Sequence, residues 1–315
     1  MSTASSSAAS IRPLCRDDDE SSALSQFNQS FVISDNQDVS GDPSAYLKTA
    51  SWKLGDSSDC CSWDGVECDD ETGHVIGLDL SSSFLYGSIN SSSSLFRLVH
   101  LQKLSLADNN FNYSQIPSVF GHLSRLTYIN LSYSEFSGQI PSKIFQLSKL
   151  ISLDLSGNVS SFSELTLLKL EKEPNLNSLL RNLTNLKELN LGLVNISSEI
   201  LDILANKTSL ESLRLRECGL HGEFPMAIFQ LPNLQVLDVR SNPYLTGYFP
   251  EFNKSSPLKL LKVAETGFFG KLPDSIGNLT HLTRLDISRS HFYGPFPRSI
   301  SRLRILNILL PITIT

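Results

Sequence analysis

The sequence, 315 residues long, has no apolar run approaching the roughly 18 residues that cross a bilayer, and Leu306 to Ile314 is broken by Pro311. A membrane-spanning segment is therefore not expected within it. It also has no surplus of positive charge, since 26 Lys and Arg stand against 32 Asp and Glu for a formal net charge of −6. That balance argues against a surface tracking nucleic-acid phosphates. The first ten residues, Met1-Ser-Thr-Ala-Ser-Ser-Ser-Ala-Ala-Ser10, have no apolar core of the kind a secretory signal carries. A phosphate-cradling glycine loop, paired carboxylates and a nucleophile matched to a histidine are missing too. His74, His100, His122, His221, His281 and His291 are dispersed along the chain. Catalysis thus finds little support, and neither a cofactor nor a metal is expected.

What the chain has in abundance is periodic leucine. Leu189, Leu213, Leu237, Leu261, Leu285 and Leu309 recur every 24 residues, so one structural unit is stacked on itself. The unit is clearest in Leu279-Thr-His-Leu282-Thr-Arg-Leu285-Asp-Ile287-Ser-Arg-Ser290. Leucines at its first, fourth and seventh places, an apolar residue two later and then a polar place make the leucine-rich repeat pattern. Period-2 alternation predicts a short strand in which Leu285 and Ile287 point inward while Arg284, Asp286 and Ser288 point out. At the polar place stand Asn109, Asn158 and Asn242, whose amides can donate to and accept from buried backbone groups as the chain turns off the strand. Ser83, Ser134, Cys218, Thr266 and Ser290 would serve there more weakly. The expected fold is an α/β leucine-rich-repeat solenoid, a curved right-handed coil with a parallel concave sheet.

Nine strands follow from this reading, from Leu78/Leu80 to Leu285/Ile287, and Leu306 with Leu309 opens a tenth. Twelve extra residues separate Leu153 from Leu189, and the insertion, about 159–182, is expected as a short helical bulge carrying Leu165, Leu168 and Leu179 on the convex side. The domain reading is a remnant leader at 1–14, a cysteine cap at 15–71 and repeats over 72–315.

Asp17 to Phe31 reads as an amphipathic helix with Ala23, Leu24, Phe27 and Phe31 on one face. Four of the five cysteines, Cys15, Cys60, Cys61 and Cys68, lie in the first 68 residues. A bond between the adjacent Cys60 and Cys61 would be strained, so each is expected to pair elsewhere, with Cys15 or Cys68. Zinc on Cys60, Cys61, Cys68 and His74 is disfavoured because zinc ligands are usually spaced by two to four residues. Cys218, on the polar ladder, reads as a small buried side chain.

A glycine followed by an apolar residue and proline closes many repeats, as in Gly138-Gln-Ile-Pro141, Gly222-Glu-Phe-Pro225 and Gly270-Lys-Leu-Pro273. The proline is expected to close a turn, with φ fixed and no donor to satisfy. Together with the Cys60-Cys-Ser-Trp-Asp-Gly-Val-Glu-Cys68 cap, these motifs resemble the extracellular repeats of plant cell-surface receptors. Ser51-Trp52, the paired cysteines and the insertion resemble the receptor-like proteins, which carry such an ectodomain, one membrane helix and no kinase. The resemblance covers about residues 15 to 310. It implies disulfides Cys15–Cys60 and Cys61–Cys68, a place at the outer face of the plasma membrane, and a role in plant defence or developmental signalling. The family's cleaved signal, further repeats and membrane helix are not in the sequence, so it is read as a shortened form of a longer receptor.

Sequons at Asn28, Asn90, Asn112, Asn130, Asn182, Asn195, Asn206, Asn253 and Asn278 are expected to carry glycans, and the ladder residue Asn158 is expected not to. Asn182, Asn206 and Asn278 share one place in the repeat. The function expected is recognition of an extracellular peptide or protein on the concave face, with a co-receptor kinase as a possible partner. The contacts are assigned to Arg214, Arg216, Arg240, Lys262, Arg284 and Arg289. A secreted polygalacturonase inhibitor and the ectodomain of a receptor kinase are the alternative readings.

Overall fold

The computed structural model describes residues 15, 18–33, 43–52, 59–160, 168–170, 175–199, 202–306 and the backbone of 308–310. Its spine is an eleven-stranded sheet, antiparallel between the cap strand Val66–Cys68 and Val75–Asp79 and parallel through the nine strands that follow. Register is held by the leucines: Leu189 pairs with Leu213, Leu213 with Leu237, Leu237 with Leu261 and Leu261 with Leu285. The tenth parallel strand, Ile308–Leu310, pairs Leu309 with Leu285 as the spacing predicts. Because each unit buries its leucines only against its neighbours, one apolar core runs the length of the coil.

The polar ladder does what buried backbone requires. The Asn109 amide donates to the carbonyls of Leu80, Leu106 and Ala107, and its oxygen accepts from the N–H groups of Ser83 and Leu85. Asn158 and Asn242 repeat the pattern. Ser134, Cys218 and Ser290 each reach a carbonyl of an earlier turn, those of Leu106, Leu191 and Val263, with one weaker or local contact besides, to the Ser132 carbonyl, the Arg216 carbonyl and Thr266 Oγ1 respectively. Cys218 is buried, and burial pushes its thiol pKa up to about 12.

Beyond the ladder the structure departs from a simple turn. Residues around the recurrent glycine form a second parallel sheet, His221–Glu223, Asn242–Gly247, Thr266–Gly270 and His291–Phe292. The proline then caps a 3-10 turn: Pro117, Pro141, Pro225, Pro273 and Pro297 have φ between −63° and −71° and directly precede five-residue 3-10 segments. The fixed ring torsion is already suited to that entry. Sequence periodicity misses this sheet because its strands alternate poorly and contain Gly222, Gly247 and Gly267. Phenylalanines near this layer pack inside, Phe111 stacked on Phe136 with centroids 4.7 Å apart and Phe249 tilted against Phe292 at 4.8 Å.

The insertion is more integrated than a bulge. Leu168–Lys169 joins Gly138–Gln139 in a short parallel pair, and the α-helix Leu176–Asn182 stands where other repeats place a 3-10 turn. Asn175 caps it by accepting from Ser178 N–H. Leu165 and Glu171 to Pro174 lie outside the described residues, as does the leader at 1–14.

In the cap, helix α1 (Asp18–Gln29) buries Ala23, Leu24 and Phe27. Disulfides join Cys15 to Cys60 and Cys61 to Cys68. Trp52 stacks on Trp63 at 5.3 Å and donates from Nε1 to the Asp64 carbonyl. Gly65 has φ +81°, and a Cβ there would lie 2.2 Å from the Asp79 carbonyl oxygen, so only glycine lets the cap strand approach the first repeat.

Candidate ligand-recognition face

The last residue of each short strand presents its side chain on the concave face, and in the later repeats these are Asn190, Arg214, Asp238, Lys262 and Asp286 in successive register. They are not equally available. Asp238 and Asp286 are only 5% and 6% exposed. Asp286 accepts from the N–H and hydroxyl of Ser288, as Asp79 does from Ser81, Asn130 from Ser132 and Asp154 from Ser156. These acids and amides therefore hold the turn that leaves the strand, a structural task that an outward-facing strand position conceals in the sequence.

In the seventh repeat Arg240 stands where the serine would be. Its guanidinium Nε lies 3.2 Å from Asp238 Oδ1, and Lys262 Nζ lies 3.9 Å from Oδ2. Burial pushes the Asp238 carboxyl above its usual range, against the pull of Arg240 and Lys262. Burial also lowers the Lys262 pKa, and the cations Arg240 and Arg284 lower it further. Lys262 and Arg240 thus both face Asp238, and Arg284 lies on the next strand, two residues before the Asp286 that stands in register with Lys262. Arg214 lies on the other side of Asp238 and turns its Nη1 to Ser212 Oγ at 2.8 Å.

Two of the assigned residues stand apart. Arg216 is exposed on the row it shares with Arg240 and lies 3.7 Å from Glu217. Arg289 projects from the flank, where its guanidinium pairs with Glu265 at 2.5 Å. Its φ is +54°, like Glu217, Ser241 and Glu265 at the same place in earlier repeats, all at +54° to +58°. That left-handed place directs side chains to the edge of the sheet, which the linear pattern does not reveal.

The earlier repeats hold a groove of about 580 Å³, lined by Glu67, Asp79, Lys103, Ser105, Tyr128 and Asn130 among others. Gly77 and Ser105 leave its floor low, and Lys103 bridges to Glu67 at 2.9 Å. Strand glycine at Gly77 was the available signal. Of the sequons, Asn90, Asn112, Asn182, Asn206 and Asn253 are exposed, whereas Asn28, Asn130, Asn195 and Asn278 are half-buried. Asn182, Asn206 and Asn278 each end a helical segment at the same place in their repeat. The Asn278 amide already donates to the Phe252 carbonyl.

Residues 17–69 match the leucine rich repeat N-terminal domain family and residues 99–159 the leucine rich repeat family. Receptor-like protein 6 of Arabidopsis thaliana is 43% identical over 276 residues, 85% of this chain and 27% of the relative. The chain is a leucine-rich-repeat protein similar over most of its length to plant receptor-like proteins. Receptor-like protein Cf-9 of Solanum pimpinellifolium is 40% identical over 282 residues, 87% of this chain and 31% of that protein. This chain therefore spans about a third or less of the receptor-like proteins it matches. Among solved structures, the ectodomain of the Arabidopsis receptor kinase HAESA with an extended IDA peptide hormone aligns with a TM-score of 0.68 at 29% identity, over 91% of this chain and 47% of that one. HAESA in complex with IDA and the co-receptor SERK1 aligns at 0.65 and 25% identity, over 92% and 52%. Among the described residues no helix is long and apolar enough to cross a membrane.

Proposed function

We propose that this stretch is the extracellular recognition domain of a receptor-like protein at the plasma membrane, binding a peptide or protein segment along the concave face. On this reading it has no catalytic role, and signalling passes to a partner such as a co-receptor kinase. The observation that carries the reading is the half-exposed set of Arg214, Arg240 and Lys262 beside the buried Asp238, with the exposed Arg284 on the next strand. Cations held close together and partly desolvated gain more from a carboxylate of a ligand than freely solvated ones do. HAESA supports the wider reading, because a related coil binds a peptide hormone and a co-receptor. The exposed sequons fit a glycosylated extracellular domain.

The test is capture of extracellular peptides by the immobilised secreted chain, followed by sequencing and binding measurement. Arg240→Glu with Lys262→Glu should abolish retention of an acidic peptide, while Arg289→Glu, already paired on the flank, should leave it within about twofold. Loss on changing Tyr128 instead would move the site to the groove of the early repeats.

A further inference from the structure

Three side chains from distant parts of the sequence meet where the cap joins the coil. Glu20 lies in the first turn of α1, His74 immediately before Val75–Asp79, and His100 in the turn leading to the strand Lys103–Ser105. Glu20 is 5% exposed. Its Oε2 accepts from Val75 N–H at 3.0 Å and lies 3.6 Å from His74 Nδ1. The His74 and His100 rings stack with centroids 3.8 Å apart and planes 8° from parallel. One carboxylate oxygen and one nitrogen from each ring all lie within 4.8 Å of one another.

A buried carboxylate is costly unless a cation shares the site. Among the described residues Glu20 has His74 as its ion-pair partner, and nearby Arg97 is committed to Asp19 at 2.9 Å. Two imidazole nitrogens and one carboxylate oxygen within 4.8 Å of one another offer three ligands suited to a divalent transition metal, with a fourth position open to water. The Cys15, Cys60 and Cys61 sulfurs, which also lie close together, are spent in disulfides and offer no such site.

We propose that Glu20, His74 and His100 form a metal site, with zinc the best match, that clamps the cap helix to the first two repeats. Zinc bonds of about 2.0 to 2.2 Å set tetrahedral ligand atoms roughly 3.4 Å apart, so the three groups close by about an ångström or a little more on binding. Parallel rings cannot both aim a lone pair at one ion. At least one imidazole therefore turns out of the stack, and both rings are only half-buried. Glu20 needs no such motion, because Val75 N–H already fixes it. The site is remote in sequence from the recognition cluster and does not depend on that reading.

The experiment is calorimetric titration of the metal-stripped secreted chain with zinc chloride at neutral pH, with thermal unfolding followed in parallel. The expected result is one zinc per chain and a rise in melting temperature of about 5 °C at saturating metal. His74→Ala and His100→Ala should each weaken binding at least about tenfold, whereas His281→Ala should leave it unchanged. Glu20→Gln is less informative alone, because the buried Val75 contact can fail with it; the half-exposed His100 is the decisive position. Absence of both heat and thermal shift in the unaltered chain, or zinc uptake undiminished in the His74 and His100 variants, overturns the proposal.

Discussion

Asn242 and Leu215 stand one turn of the coil apart and are joined by the Asn242 amide donating to the Leu215 carbonyl at 2.8 Å. The same side chain donates to Val239 and Arg240 and accepts from the N–H groups of Cys218 and Leu220. Asn242→Ala strands several buried backbone groups at about 1 to 3 kcal/mol each before relaxation, so urea unfolding should show a loss of roughly 3 kcal/mol. Ser290→Ala removes one hydroxyl that reaches the Val263 carbonyl and should cost about 1 kcal/mol. Equal losses at the two positions would mean that the asparagine has no special place in the ladder.

Asn158 carries a sequon but is 0% exposed, with its amide given to the carbonyls of Leu131 and Leu155. Glycopeptide mass spectrometry of the secreted chain should find Asn158 bare, and should find sugar at the exposed Asn112, Asn182, Asn206 and Asn253. Occupancy at Asn158 would require that it be modified before its repeat folds.

The two cap disulfides differ in the loop they close, 45 residues for Cys15–Cys60 and 7 for Cys61–Cys68. Loop-closure entropy assigns the longer about 4 kcal/mol and the shorter about 2 kcal/mol. Replacing Cys15 and Cys60 by alanine should therefore lower stability more than replacing Cys61 and Cys68, as read by denaturant midpoint at constant slope.

Asp238 and Asp79 should respond to pH with opposite sign. Burial raises the folded pKa of Asp238, so between its unfolded and folded values the folded state holds the extra proton and stability falls as pH rises. For Asp79, burial pushes upward, but hydrogen bonds from Ser81 and the nearby Lys48 outweigh it and the pKa is lowered. Its contribution is present above the unfolded value and is lost as pH falls through the folded one. Relative to the unaltered chain, Asp238→Asn should gain stability as pH rises above about 4, while Asp79→Asn should lose relative stability as pH rises toward about 4 from below. A pH series of unfolding midpoints decides both, and parallel shifts in the two variants would contradict the assignment.

Much of the architecture could be read in advance because leucine spacing sets it locally. The tenth strand at Leu309, the ladder role of Asn109, Asn158 and Asn242, and the buried face of α1 all depend on residues near one another in sequence. The disulfide pairing came through resemblance to a family, and the structure has the same pairs. The recognition face was less legible. A strand position says that Asp238 points to the concave side, but its burial depends on Arg240 and Lys262, one of them a repeat away. Arg289 looked equivalent to its neighbours until backbone φ placed it on the flank beside Glu265. The meeting of Glu20, His74 and His100 spans the cap and two repeats, and their scatter along the sequence hid it.

Leucine-to-leucine register from Leu189 through Leu285 makes each 24-residue turn interchangeable at its borders, because every strand meets its neighbour by the same three backbone pairings. Unequal recombination within this block, deleting or duplicating one whole turn, would join one leucine strand to another without a frameshift in packing. The polar side chains carried on that turn would move with it. Such an exchange redraws the concave surface in a single genetic step, while the coil that supports it keeps its joints.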